Sequence, residues 1–258
     1  MFKTINMIKP IKIFYSYSHL DLKYLERIKT NLAVLRRDGI IEDWGDRDIN
    51  AGEEWKNVID INLEQADIVL LLISANFLAS DYCYEYEMKR AMINHKLNIS
   101  KVIPVILTES DYKNSPFAIF EALPGKGFAI DDRRHWKNAN YAYTNIVKGI
   151  RKVIVNSSKN KILFVNSNTM GELLELTESE ELKKYAVDRI NFKVTELLHS
   201  DEPYDYTHVY WFFIMLAKIG ELSVEHIIRE GLKSKHEIIK QGAKDALEII
   251  NNINNKKE

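Results

Sequence analysis

The stretch Asp67-Ile-Val-Leu-Leu-Leu-Ile73-Ser74-Ala-Asn-Phe-Leu-Ala-Ser80-Asp-Tyr-Cys-Tyr-Glu-Tyr-Glu87-Met-Lys-Arg-Ala91 decides how the chain is read. Residues 68–73 are an unbroken apolar run, the pattern of a strand buried on both faces of a parallel sheet. The spacing that follows predicts a helix over 84–97, after a short segment dense in polar and aromatic groups. In an open parallel sheet, ligands bind in the crevice beyond the carboxyl ends of the strands. Glu85 and Glu87 stand at the mouth of that crevice, at the start of the helix.

Toward the N-terminus, Ile11-Lys-Ile-Phe-Tyr-Ser16 predicts a first strand. A helix over about 21–36 follows, with Leu22, Leu25, Ile28, Leu32 and Leu35 spaced three and four apart, and Ser18 or Asp21 as its cap. Gly39 ends it, and Ile40, Ile41 and Trp44 predict a brief second strand. Beyond the loop 43–52, a helix over about 53–65 opens on Glu53 and Glu54, which suit the positive end of a helix dipole. Toward the C-terminus, Lys101-Val-Ile-Pro-Val-Ile-Leu107 predicts a fourth strand, which Pro104 assigns to a sheet edge or a bulge because proline donates no ladder hydrogen bond. A short helix at 115–120, a fifth strand at Phe128-Ala-Ile130 and a helix over 139–154 complete the pattern. Short strands alternating with helices predict an α/β domain with a parallel sheet covered on both faces.

Asn156-Ser-Ser-Lys-Asn160 is a polar break, which predicts one domain over 1–155 and a second over 160–258. Ile162-Leu-Phe-Val165 reads as a strand or as an apolar anchor. From 170 the pattern is helical: 170–176, 179–190 and 190–198, the apolar stretch 209–217, then 223–231 and 235–250. Together, Leu216-Ala-Lys-Ile-Gly220, Val224-Glu-His-Ile-Ile228 and the stretch 238–249, with Ala243 and Ala246 allowing close approach, resemble one HEAT-like helical unit; a plain helical bundle with Trp211, Phe212 and Ile214 as core reads equally well.

The 36 basic and 37 acidic residues among 258 argue against a dedicated nucleic-acid surface. One cysteine excludes an internal disulfide framework and a thiolate-rich zinc site and fits a reducing compartment. No metal site is expected. The longest apolar run is far too short to span a bilayer, and residues 1–10 do not read as a signal peptide, so the expected location is cytoplasmic, with no membrane partner.

Three segments, taken together and in order, carry a resemblance. They are Ile13-Phe-Tyr-Ser16-Tyr-Ser-His, Asp43-Trp-Gly-Asp-Arg-Asp-Ile-Asn-Ala-Gly52-Glu-Glu-Trp55, and Ala66-Asp-Ile-Val with Ser74-Ala-Asn-Phe-Leu-Ala-Ser80-Asp-Tyr-Cys83-Tyr-Glu-Tyr-Glu87-Met. Over about residues 9–155 the chain resembles a bacterial TIR (Toll/interleukin-1 receptor) domain, departing from it at Gly45, where a histidine is common. The resemblance implies a flavodoxin-like fold of five parallel strands. It also implies cleavage of NAD⁺ at the nicotinamide–ribose bond, the reaction of many bacterial and plant members. NAD⁺ would be the substrate, no cofactor would be required, and the products would be nicotinamide and linear or cyclic ADP-ribose. Association of like domains into a homo-oligomer, and a setting in antiphage defence or signalling, are further implications. The alternatives are a non-catalytic scaffold acting by homotypic association, and a sensor that binds NAD without turnover. Residues 160–258 would then hold the enzyme inactive, oligomerise it or dock it to a sensor partner.

In the enzymes of this family the carboxylate lies in the helix after the third strand. The resemblance favours Glu87 as that group, with Glu85 the runner-up and two solvated first-turn glutamates the remaining alternative. Two residues apart in a helix, they face about 200° apart and cannot share a role. Trp44 and Tyr17, with Tyr15 behind them, are flat partners for a nicotinamide ring, while Trp44 could instead anchor the second strand. Ser16 and Ser18 could donate to ribose or phosphate oxygens or simply form the turn, and Arg47 could pair with the diphosphate or with Asp43, Asp46 or Asp48. Cys83 adjoins the site as a small hydrophobe, and His19 could touch it. No phosphate-binding glycine motif is present, which argues against redox use of NAD.

Overall fold

Six apolar residues in a row, Ile68–Ile73, form strand β3, and all six are buried. The computed structural model describes residues 9–44, 55–157, 167–199, 206–219 and 224–255, with only the backbone at 55–57, 126, 157, 167 and 168. Arg47, Glu53, Glu54, most of the loop 43–52 and the apolar segment 162–165 lie outside the described residues.

The described residues divide into two compact units. In the first, β1 (Ile11–Ser16), α1 (Leu22–Asn31), α2 (Ala33–Arg37), β2 (Ile41–Trp44), α3 (Trp55–Gln65), β3, and a short α4 (Ala75–Leu78) follow one another. A π-helical turn over Tyr82–Met88 then runs into α5 (Lys89–Lys96), and β4 (Lys101–Ile106) and α6 (Ala139–Ser157) close the unit. Gly39, at φ +66°, makes the left-handed turn from α2 into β2 that a side chain would resist.

The strands pair in the order β2-β1-β3-β4, all parallel. Alternation sorts the side chains. Ile13 and Tyr15 of β1, Leu70 and Leu72 of β3, and Ile103 and Val105 of β4 face one core, shared with Leu25 and Ile28 of α1 and Ile146 and Ile150 of α6. Phe14 and Ser16 therefore point to the opposite face.

A fifth strand at 128–130 was expected, and among the described residues the sheet has four. Beyond β4, Leu123 makes one isolated bridge to Val105, and Ile130 N donates to Ile106 O (3.0 Å) without extending a ladder. Between them stand Pro124, which has no N–H, and Gly127, at φ +75°. β4 is accordingly an edge strand, as Pro104 implies. Leu123 N donates to Pro104 O (2.8 Å) on the outer side, so the missing proline N–H also faces outward, where no neighbouring strand needs it.

The second unit holds α7 (Ser167–Leu176), α8 (Glu180–Leu198), α9 (Thr207–Ile219), α10 (Glu225–Gly231) and α11 (Glu237–Asn254), so 179–190 and 190–198 are joined in one helix, the continuous alternative that the sequence left open. It also includes Ile93–Ile99, a stretch that sequence order assigns to the first domain. Ile93 and Leu97 belong to its core with Phe212, Phe213 and Ile250, Asn94 Nδ2 donates to the Tyr185 hydroxyl (2.9 Å), and Arg189 Nε donates to Asn94 Oδ1 (3.2 Å). The apolar stretch 209–217 is core of α9, and α11 lies close against it through Gly242, Ala243 and Ala246. Among the described residues no helix is long and apolar enough to cross a membrane.

The closeness of α9 and α11 can be tested by two opposite substitutions. A Cβ at Gly242 would sit 2.7 Å from Tyr210 Cα, whereas one at Gly171 in α7 meets nothing within 4 Å. Gly171→Ala should stabilise by up to about 1 kcal/mol through helix propensity. Gly242→Ala should lose more to overpacking, about 1–3 kcal/mol, than it gains, so thermal unfolding moves in opposite directions for the pair.

Candidate active site

The chain leaves β1 toward β2 on one side and returns across it to β3 on the other, so a topological switch point lies between β1 and β3. Ser16, the last residue of β1, is fully buried there, and its Oγ donates to Glu87 Oε2 at 2.5 Å. The Glu87 side chain lies under the sheet end with 5% of its surface exposed. Glu85 points the other way: its carboxylate is 56% exposed and pairs with Lys89 Nζ at 2.5 Å. One glutamate faces inward and the other outward, as the helical rotation requires.

The π-helical turn shapes what surrounds Glu87. An α-helix would place residues five apart about 140° from each other, whereas a π-turn links i to i+5. Tyr82 and Glu87, five apart, both line one cavity. Burial, and then the nearby Glu87 carboxylate, hold the Tyr82 phenol above its ordinary range. Tyr82 stacks on Tyr86 (centroids 5.2 Å apart), whose hydroxyl donates to both oxygens of Asp60 (2.8 Å each). Arg90 lies over the Tyr86 ring at 3.9 Å and pairs with Asp60 at 3.0 Å, so α3 and α5 lock the turn from behind.

The cavity measures about 340 Å³ and is lined by Phe14, Tyr15, Tyr17, Ser18, His19, Leu20, Trp44, Ile59, Ser80, Tyr82, Cys83 and Glu87. Trp44 is half-buried, stacks on Phe14, its register partner in β1, at 5.6 Å and 13°, and also lines the cavity. Tyr17 meets the edge of His19 at 5.8 Å. Cys83 is buried, its Sγ donating to Tyr17 O at 3.3 Å. The Ser16 hydroxyl is directed to Glu87.

Two polar anchors hold the rim, and the first differs from the sequence reading. Neither Ser18 nor Asp21 caps a helix through its side chain. Asp21 is buried and accepts hydrogen bonds from Ser74 Oγ and from Asn76 Nδ2 (3.1 Å), tying the loop after β1 to the loop after β3. Asp43 pairs with Arg36, through Nε at 2.5 Å and Nη2 at 2.7 Å, and accepts from the Tyr15 hydroxyl at 3.0 Å. Burial raises the Tyr15 phenol, and Asp43 raises it further. Phe14, Leu20, Ile59, Ser80 and Tyr82 are the lining residues that sequence reasoning missed. The register opposite Trp44 could have found Phe14, while no α-helical spacing points from Glu87 to Tyr82.

A model of the TIR domain matches residues 13–159, more than half of the chain. The chain belongs to the TIR domain family. A relative in Sinorhizobium fredii, the uncharacterized protein y4lF, is 41% identical over 140 residues, which are 54% of this chain and 42% of the relative. The chain thus spans less than half the length of that relative. Some TIR domains act on NAD⁺, and TIR domains commonly associate with one another.

Asp43 gives this TIR domain a testable acid limb. Burial alone would raise its carboxyl, but hydrogen bonds and charge from Arg36, and the Tyr15 hydroxyl, hold it below its ordinary value of 3.8. The stability it contributes is therefore present above about pH 4 and lost as pH falls through the folded-state value. Chemical denaturation across pH 3–7 should show Asp43→Asn less stable than the parent near neutrality, with the gap closing below about pH 4.

Proposed function

We propose that the chain is an NAD⁺ glycohydrolase that breaks the bond between nicotinamide and ribose, releasing nicotinamide and linear or cyclic ADP-ribose. The observation that carries this reading is the buried Glu87 carboxyl group, held by Ser16 and facing an aromatic-walled cavity at the β1–β3 switch point. Family membership supports it, because NAD⁺ is the substrate of some TIR domains.

The chemistry asks for little else. Nicotinamide is bound to ribose through a cationic pyridinium nitrogen and leaves neutral, taking the bonding pair, so no strong general acid is needed. The barrier lies in the positive charge that grows on the ribose as the C1′–N bond lengthens. A fixed carboxylate beside that carbon stabilises the oxocarbenium-like transition state, most strongly where water is excluded. Water, or an adenine or ribose group of the same molecule, then attacks C1′. Trp44 and Tyr17 supply flat faces for the ring, and Cys83 packs beside it without acting as a nucleophile. Ser16, on this reading, positions Glu87 instead of holding the substrate. Activation by assembly of like domains, in a defence or signalling setting, belongs to the same reading. It predicts a specific activity that rises with protein concentration.

The deciding assay follows nicotinamide release from NAD⁺ by the full chain. Glu87→Gln should slow it by about a hundredfold or more, the scale of a lost electrostatic contact in a transition state. Glu85→Ala should leave it near the parent rate. Equal rates for Glu87→Gln and the parent, or no release by the parent at any protein concentration, would sink the reading.

Ser16→Ala removes one hydrogen bond to a charged group, an interaction of about 1.5–3 kcal/mol. The rate constant kcat should fall about ten- to a hundredfold with KM little changed, and Ser16→Thr should recover part of it. A rise in KM alone would instead make Ser16 a substrate ligand.

A further inference from the structure

Phe14, Tyr17, Trp44 and Tyr82 wall the cavity, and Glu87 adds a carboxyl group to it. Aromatic faces carry negative potential and attract cations, most strongly where water is excluded, and a carboxylate adds to that attraction. The combination is the chemistry of an organic-cation site. At about 340 Å³ the cavity falls at the small end of ligand pockets, with room for a ring and one sugar, the part of the dinucleotide that bears the cation. Resting on the glycohydrolase reading, we infer that the site recognises the cationic pyridinium nucleoside itself, so that N-ribosyl pyridiniums without phosphates, such as nicotinamide riboside, are bound and cleaved.

The step balances without any further reactant. The C1′–N bond of the riboside breaks and its electron pair stays on the ring nitrogen, turning the pyridinium into neutral nicotinamide. A water oxygen bonds to C1′ and its proton passes to solvent, leaving free ribose. Recognition by ring charge has a second consequence. The reduced dinucleotide NADH carries the same phosphates and adenosine but an uncharged dihydropyridine ring, so it should compete poorly.

The test compares NAD⁺ and nicotinamide riboside as substrates of the full chain, with NADH as a competitor in each reaction. Nicotinamide should be released from the riboside with kcat/KM within about a hundredfold of that for NAD⁺, and NADH equimolar with the substrate should leave both rates nearly unchanged. Glu87→Gln should reduce turnover of both substrates by a similar factor. If NAD⁺ is cleaved while the riboside falls more than about a hundredfold below it, or if NADH competes as well as NAD⁺ binds, this inference fails and the glycohydrolase reading stands. If neither substrate releases nicotinamide, both fail together.

Discussion

The hydrogen bond from Ser16 to Glu87 joins two elements whose side chains would each be costly to bury alone. A carboxyl group moved out of water loses several kilocalories per mole of hydration unless donors replace it. Ser16 can be that donor because it is the last residue of a central strand. Phe14 and Ser16 share a strand face, the hydroxyl is fully buried, and it meets Glu87 at 2.5 Å. The rest of the site follows from that meeting. It fixes which residue of the π-turn faces inward, and that orientation places Tyr82 beside the carboxyl group and leaves Glu85 to Lys89 and solvent.

Much of this was legible in the residues because the governing signals are local. An apolar run of six is a doubly covered strand whatever surrounds it, and Pro104 in a strand belongs at an edge. The inward–outward split of Glu87 and Glu85 needs only a helical rotation. The π-turn is different. It is a shift in hydrogen-bond register, from i+4 to i+5, that apolar spacing does not record, so Tyr82 could not be found from Glu87. Asp21 was misread for a related reason: aspartate before a helix suits both a cap and a tertiary acceptor, and only the positions of Ser74 and Asn76 decide.

The other misreadings concern length and chain order. Phe128–Ile130 has the composition of a strand, but the segment reaches β4 past Pro124 and Gly127, and it makes a single backbone bond, Ile130 N to Ile106 O, where a ladder was expected; the one bridge there belongs to Leu123. Residues 93–99 continue the predicted helix without a break, and a boundary drawn from composition can only fall at a polar linker. Ile93, Asn94 and Leu97 nevertheless share a core and hydrogen bonds with α8 and α9, which no reading of adjacent residues could supply.

The distribution of buried polar groups in the first unit separates scaffold from site. Among the described residues, its buried polar ones are Ser16, Ser18, Asp21, Ser74, Glu87, Arg90 and Ser100. Ser100 precedes β4, while Ser16, Ser18, Asp21, Ser74 and Glu87 all gather where β1 and β3 end. Apolar residues of similar volume would pack there at no desolvation cost, and paired buried polar groups often add nothing to stability over such replacements. A sheet built for stability alone has no reason to concentrate them at one end. Geometry gives one: directed bonds such as Asp21 to Ser74 and Ser16 to Glu87 fix side chains in orientations that non-directional apolar contacts leave free. Stability yielded at the mouth of the crevice is thus exchanged for a preset arrangement, and under the proposed function a preset arrangement is what a transition state bearing charge requires.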